Sequence, residues 1–178
     1  MAGLYRWILV LFIVATSIGC DQWSKDVAQK ELLHAPRMSF LGDTFRLQYA
    51  ENKGAMLSLG ASLPEEARFW VFQVGIGLLL LVALGAALMW RQLNGVAIVG
   101  VALMVGGGVS NLMDRILYDG VVVDFMNLGV GGLRTGIFNV ADIAIMVGAA
   151  LIALQAFSAE PEPPPSPDLT GSSPTDTA

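Results

Sequence analysis

Four blocks of apolar residues, each close to the length a helix needs to cross a lipid bilayer, constrain this chain more than any other feature of it. An α-helix rises about 1.5 Å per residue, so roughly 20 residues traverse roughly 30 Å of hydrocarbon. The blocks fall at about 7–28, 69–90, 95–113 and 138–157. With 54% hydrophobic and 14% charged residues among 178, the chain is too apolar for a soluble domain of its size. The expected fold class is an all-α membrane protein of four transmembrane helices, one domain at 1–158. Between the first two spans, at about 29–68, the partial alternation in MSFLGDTFRLQYAENKGAMLSLG predicts a small β-rich segment of short strands on the membrane surface. A second stretch, DGVVVDFMNLGVGGL, is too short to span and belongs near the interface. Residues 159–178 form an acidic Pro/Ser/Thr-rich tail without apolar periodicity and are expected to be disordered.

Scarce residues narrow the chemistry. One cysteine, Cys20, excludes an internal disulfide, and one histidine, His34, leaves no Cys/His zinc cluster, so metal chemistry is not expected. The formal charge of −5 offers no basic surface for nucleic acid. Arg6, an apolar core and then Ser17, Ile18, Gly19 and Cys20 imitate the cleavage and lipidation site of a bacterial lipoprotein. Ser17 stands where such a site usually carries an aliphatic residue, and three further spans follow where a soluble domain would. Cys20 is therefore read as a small residue on a packed helix. The alternative is an integral membrane lipoprotein or structural protein itself modified at Cys20.

Polar residues recur where the apolar blocks end. Asp21, Ser24 and Lys25 share a helix face at i, i+3 and i+4, as do Asn111, Asp114 and Arg115 in SNLMDR, while Asn139 and Asp142 in FNVAD are three apart. Asp124 is isolated in VVVDFMN. Ionisable groups at the rim of a hydrocarbon layer cost several kcal/mol unless paired. With four crossings, the end of the first span, the end of the third and the start of the fourth lie on one side of the membrane, so these residues can converge. Aspartate is the plentiful catalytic group, and two carboxylates in a poorly solvated pocket share a proton and can activate water between them. A conducting path would instead place polar groups at several depths. Orientation stays open on charge alone: Arg6 and Arg91 favour cytoplasmic termini, whereas Lys25, Lys30, Arg37, Arg46, Lys53 and Arg68 crowd the loop this puts outside.

Five blocks in order along the chain resemble the signal peptidase II family, the prolipoprotein signal peptidases. DQWSK at Asp21, ENKGAMLS around Asn52 and Gly54, SNLMDR, VVVDF and FNVAD are similar to its motifs. The resemblance implies an intramembrane aspartyl protease of the bacterial cytoplasmic (inner) membrane. Its catalytic pair would be Asp124 and Asp142, with Asp21, Lys25, Asn52, Gly54, Asn111, Asp114, Arg115, Asn139 and Ala141 lining or supporting the site. It implies cleavage just before the diacylglyceryl-modified cysteine of prolipoproteins, no cofactor, and contact with membrane lipid. It further implies inhibition by globomycin-type cyclic peptides, cytoplasmic termini and an active site toward the outer leaflet, with the 29–68 segment extracytoplasmic; a monomer is expected. Arg115 is expected to pair with Asp114 or another carboxylate. Gly106 to Gly108 are expected to permit close approach of a helix or of substrate. Met56, Leu57, Ser110, Thr135 and Gly136 depart from the family pattern and bear on the substrate pocket rather than on the pair.

Overall fold

The computed structural model describes residues 2–54, 60 and 62–158. Met56, Leu57 and the 159–178 tail lie outside the described residues. Helix α1 (Ala2–Leu32) leads into strands β1 (Met38–Phe40) and β2 (Phe45–Asn52). The second span, Glu65–Met89, is one helical run: a short α2 (Glu65–Arg68), a π-helical turn (Phe69–Gly75) and α3 (Ile76–Met89). Helix α4 (Gly95–Leu117), strands β3 (Val122–Val130) and β4 (Leu133–Arg134), and helix α5 (Val140–Ser158) complete the order. Among the described residues four helical runs are long and apolar enough to cross a membrane.

The ends of the spans differ from the expected ones. Helix α1 continues to Leu32 and α4 to Leu117, each carrying its polar end beyond the apolar block. On α1 this extension is stabilised in solvent by an Asp26–Lys30 pair at 2.6 Å, one turn apart and exposed on both sides. At the opposite end of the bundle, Arg6 donates to the carbonyl oxygens of Ala87 (2.6 Å) and Trp90 (2.8 Å), satisfying orphan acceptors where α3 ends.

Helix α4 is the centre of the bundle. In its apolar window 56% of residues are buried, against 6%, 11% and 17% in the other three spans. Lipid tails are as apolar as leucine, so helices in a membrane are held by close packing rather than by exclusion of water, and glycine permits the closest approach. The three consecutive glycines of α4 point at three different helices. A Cβ on Gly106 would lie 2.6 Å from Ser17 Cβ of α1, one on Gly107 would collide with the Ala141 carbonyl oxygen of α5, and one on Gly108 would lie 2.5 Å from Leu80 Cδ2 of α3. Two turns further from the polar end, Gly100 and Gly148 meet backbone to backbone. Helix packing is thus what these glycines do, with Gly108 also bordering a cavity.

The strands form a four-stranded antiparallel sheet in the order β1-β2-β3-β4. Strands were expected only within 29–68; the 118–133 stretch also supplies two, because a β-branched segment too short to span can satisfy its backbone groups by pairing. Asn52 lies opposite Val122 and Ala50 opposite Asp124, so Asn52 and Asp124 are diagonal neighbours on one face. A bridge between Met126 and Phe138 then ties β3 to the residue preceding Asn139. This register carries VVVDF against FNVAD.

Gly107→Ala is expected to lower thermal stability in detergent by about 1–3 kcal/mol, the cost of overpacking a close contact. Gly19→Ala, with open space around its Cβ, should leave the melting temperature unchanged or slightly raised. Equal melting temperatures for the two variants would contradict the packing account.

Candidate active site

Helix α5 begins inside protein, where the N–H groups of its first turn have no water to bond. Three acceptors take them. Asn139 precedes the helix, and its Oδ1 accepts the Asp142 N–H at 2.9 Å while Asp142 Oδ2 accepts the Asn139 N–H at 3.2 Å, the reciprocal pair of a capping box. Asp21 of α1 supplies the third, its Oδ1 accepting the Ala141 N–H at 2.7 Å. Asn139 and Asp21 are each fully buried.

The same asparagine joins the two aspartates. Asn139 Nδ2 donates to Asp124 Oδ1 at 2.7 Å, and Asn52 Nδ2 donates to Asp124 Oδ2 at 2.9 Å. On the other side Asn111 Nδ2 donates to Asp142 Oδ1 at 3.0 Å. Each amide is itself oriented. The Gly54 N–H donates to Asn52 Oδ1 at 2.9 Å, and Lys25 Nζ donates to Asn111 Oδ1 at 2.8 Å. A cavity of about 170 Å³ has Asp124 and Asp142 in its wall together with Asn52, Asn111, Gly108 and Ile145.

Behind this layer lies an ionic one. Lys25 Nζ sits 2.6 Å from Asp21 Oδ2 and 2.7 Å from Asp114 Oδ2, with all three side chains buried. Gln22 Nε2 donates to Asp114 Oδ1 at 2.6 Å and to Ser110 Oγ at 3.0 Å, and Ser110 Oγ donates to Asp21 Oδ2 at 2.7 Å. Ser110, a departure from the family pattern, is thereby a bridge between α4 and α1. Gln22 was not singled out in the sequence; its place beside Asp21, one residue from the i, i+3, i+4 stripe, hid it.

All eleven proposed site residues reach this end of the bundle, with three corrections nearby. Arg115 does not pair with Asp114, which Lys25 holds. Its two terminal nitrogens donate instead to the backbone carbonyls of Asn111 (2.9 Å) and Gly54 (2.7 Å), and Phe72 lies under its guanidinium at 5.9 Å. Ser24 turns back to the Asp21 carbonyl of its own helix at 2.8 Å and leaves the cluster. Cys20 is exposed on α1 rather than packed, as expected of a side chain facing lipid. Of the other departures, Thr135 and Gly136 hold a side chain in place: Asn127 Nδ2 donates to the Thr135 carbonyl at 2.7 Å and lies 3.4 Å from that of Gly136.

Charge balance is uneven. The buried carboxylates are Asp21, Asp114, Asp124 and Asp142; the buried cations are Lys25 and Arg115. Among the described residues neither Asp124 nor Asp142 makes an ion pair, so amides alone support them. Burial pushes the Asp124 carboxyl up from 3.8 to about 6; the Asn52 and Asn139 amides oppose the rise and the neighbouring Asp142 charge adds to it. With the folded value above the ordinary one, protonated Asp124 favours the fold below about 3.8, and that contribution is lost as pH rises through about 6.

Fold and site define a multi-pass membrane protein with a buried, amide-supported pair of carboxylates at one end of its helices. Residues 13–158 match the family model of Signal peptidase (SPase) II. The chain is 40% identical over 130 residues to the lipoprotein signal peptidase of Salmonella typhi, covering 68% of this chain and 75% of that one. It is 30% identical over 152 residues to the lipoprotein signal peptidase of Oleidesulfovibrio alaskensis, covering 85% and 96%. Two solved bacterial membrane enzymes share its fold with TM-scores of 0.73 and 0.74 at 23% and 21% identity, covering 86% and 85% of this chain and 93% and 94% of theirs. This chain belongs to the signal peptidase II family, and is accordingly a peptidase that crosses the bacterial inner membrane several times.

Removing the Asn52 amide takes away a donor that favours ionised Asp124, so Asn52→Leu is expected to move the Asp124 titration upward from about 6. Infrared difference spectra of the protonated carboxyl band across a pH series read this directly. A midpoint that stays put or falls would show that Asn52 does not support the charge.

Proposed function

We propose that this chain is an aspartyl endopeptidase that removes the signal peptide from prolipoproteins just before the diacylglyceryl-modified cysteine. The observation that carries the reading is the placement of Asp124 and Asp142 in the wall of one cavity, bridged by Asn139 and without a cation on either. Two poorly solvated carboxylates without a counter-ion relieve their repulsion by keeping one proton between them. The ionised member takes a proton from a water lying between the pair as that water attacks the scissile carbonyl carbon. The protonated member gives its proton to the carbonyl oxygen. When the tetrahedral intermediate collapses, the nitrogen of the modified cysteine leaves with a proton and the signal peptide ends in a carboxylate.

The cavity suits a bond at the membrane rim. Its lower wall, with Ile76, Gly108 and Ile145, is apolar and belongs to the spans, while Asn52, Val122 and Asp124 come from the sheet above. Family membership supports cytoplasmic termini, a site facing the outer leaflet, and action as a monomer. Cyclic peptides of the globomycin type that fill this cavity would compete with the precursor. The lipoprotein-like stretch at Cys20 is a coincidental imitation of the substrate, because cleavage there would remove Val10, a fully buried member of the core.

Asp124→Asn and Asp142→Asn keep shape and hydrogen-bonding capacity while removing the acid. Each is expected to insert normally and to lower conversion of a purified diacylglyceryl precursor, read by gel shift, by about 10³-fold or more. Near-normal conversion by either variant would overturn the assignment.

A further inference from the structure

A second cavity, of about 440 Å³, lies outward of the carboxylates. Its wall is drawn from the ends of elements: Lys53 just past β2, Glu65 and Arg68 where the second span starts, Gln73 of the π-helical turn, and Asp119 just past α4. Arg115 borders this cavity and the smaller one alike. Its Nε is buried and has no hydrogen-bond partner among the described residues.

One face of α4 runs through both spaces. Gly108, Asn111 and Arg115 follow one another at helical spacing, from the apolar wall to the amide on Asp142 to the shared guanidinium, and Asp119 lies in the turn that follows the helix. At about 1.5 Å per residue, Arg115 stands about 6 Å outward of Asn111. An extended peptide advances roughly 3.3 Å per residue, so a chain whose cleaved bond lies at the carboxylates reaches the outer cavity from about its second residue after that bond. The apolar side must receive the signal peptide, which is a membrane segment. The polar side is left for the polypeptide that continues into water.

Resting on the peptidase reading above, we propose that the outer cavity is the subsite for the first residues of the mature lipoprotein, and that Lys53 and Arg68 make it favour acidic over basic side chains there. Three cationic side chains, Lys53, Arg68 and Arg115, line it against two carboxylates, Glu65 and Asp119. Lys53 is exposed and Arg68 half-exposed, so each interaction is of the screened, surface kind and shifts selectivity by small factors. The Arg115 terminal nitrogens are already bound to the Asn111 and Gly54 carbonyls, which leaves selection by charge to the rim.

The test uses full-length enzyme in detergent and diacylglyceryl peptides that differ only at the second and third residues after the cleaved bond: Asp-Asp, Ser-Ser or Lys-Lys. The expected order of kcat/KM is acidic, neutral, basic, with about threefold or more between the extremes at low salt and a smaller ratio at high salt. Lys53→Glu combined with Arg68→Glu should invert the acidic-to-basic ratio, and Asp119→Asn alone should enlarge it. The second variant adds no charge to the first pair's positions, so it keeps the test standing should the double variant fold poorly. A ratio near one in the wild type, or one that neither variant moves, overturns the subsite, including the case in which Lys53 and Arg68 contact only lipid phosphates. If the wild type cleaves none of the three peptides, the peptidase reading itself fails and the subsite falls with it.

Discussion

The start of α5 is the constraint on which the rest of this structure depends. A helix that begins beneath a sheet rather than in water must find acceptors for its first N–H groups from protein. Asn139, Asp142 and Asp21 provide them, and each has further partners that the first commitment fixes in place. Asn139 uses its oxygen on the helix, so its nitrogen is free to point at Asp124. Asp21 uses one oxygen on the helix, so the other receives Lys25 and Ser110. A backbone requirement is thereby turned into a fixed placement of both carboxylates, at a fixed orientation of each amide that supports them.

That arrangement needs α1, α4 and α5 within side-chain reach, which is what the glycines of α4 accomplish. Gly107 lets the Ala141 carbonyl lie against the α4 backbone at the very residue whose N–H Asp21 accepts. Widening this contact by one methyl group would pull on the cap and on the dyad together. Packing in the membrane and geometry at the site are therefore the same constraint seen at two levels. The ionic layer of Lys25, Asp21 and Asp114 adds register: a buried charge that loses its partner is strongly destabilising, so α1 and α4 cannot slide past one another by a turn.

Much of this was legible in the residues because membranes make unusually strict demands. Apolar length identifies the spans, and every ionisable group at their ends asks for a partner. Those two rules alone bring Asp21, Lys25, Asn111, Asp114, Asn139 and Asp142 to one end. Which group meets which was less legible. Helical spacing says that Asp114 and Arg115 are neighbours in sequence and both inward, but it cannot say that Lys25 arrives from another helix to claim the carboxylate, leaving Arg115 for the Gly54 carbonyl. The strands of 118–133 were missed for a related reason. Their partner, β2, lies some 70 residues earlier, as the Asn52 to Asp124 contact shows with its separation of 72, and no local pattern announces it. Gln22 and Ser110 have ordinary surface and small-residue identities until α1 and α4 are set side by side.

The site also departs from what stability alone would select. Among the described residues, four buried carboxylates against two buried cations leave an excess of negative charge in a poorly solvated region, and the two aspartates that face the cavity are the ones without a cation. Moving Lys25 toward them would relieve the repulsion, yet its three acceptors, Asp21, Asp114 and Asn111, keep it one layer back. A cation bound directly to the pair would hold both carboxylates ionised. Neutral amides support the pair instead, and burial holds the Asp124 carboxyl up at about 6. The unrelieved charge is a local cost that the close glycine packing and the capped helix offset elsewhere in the fold.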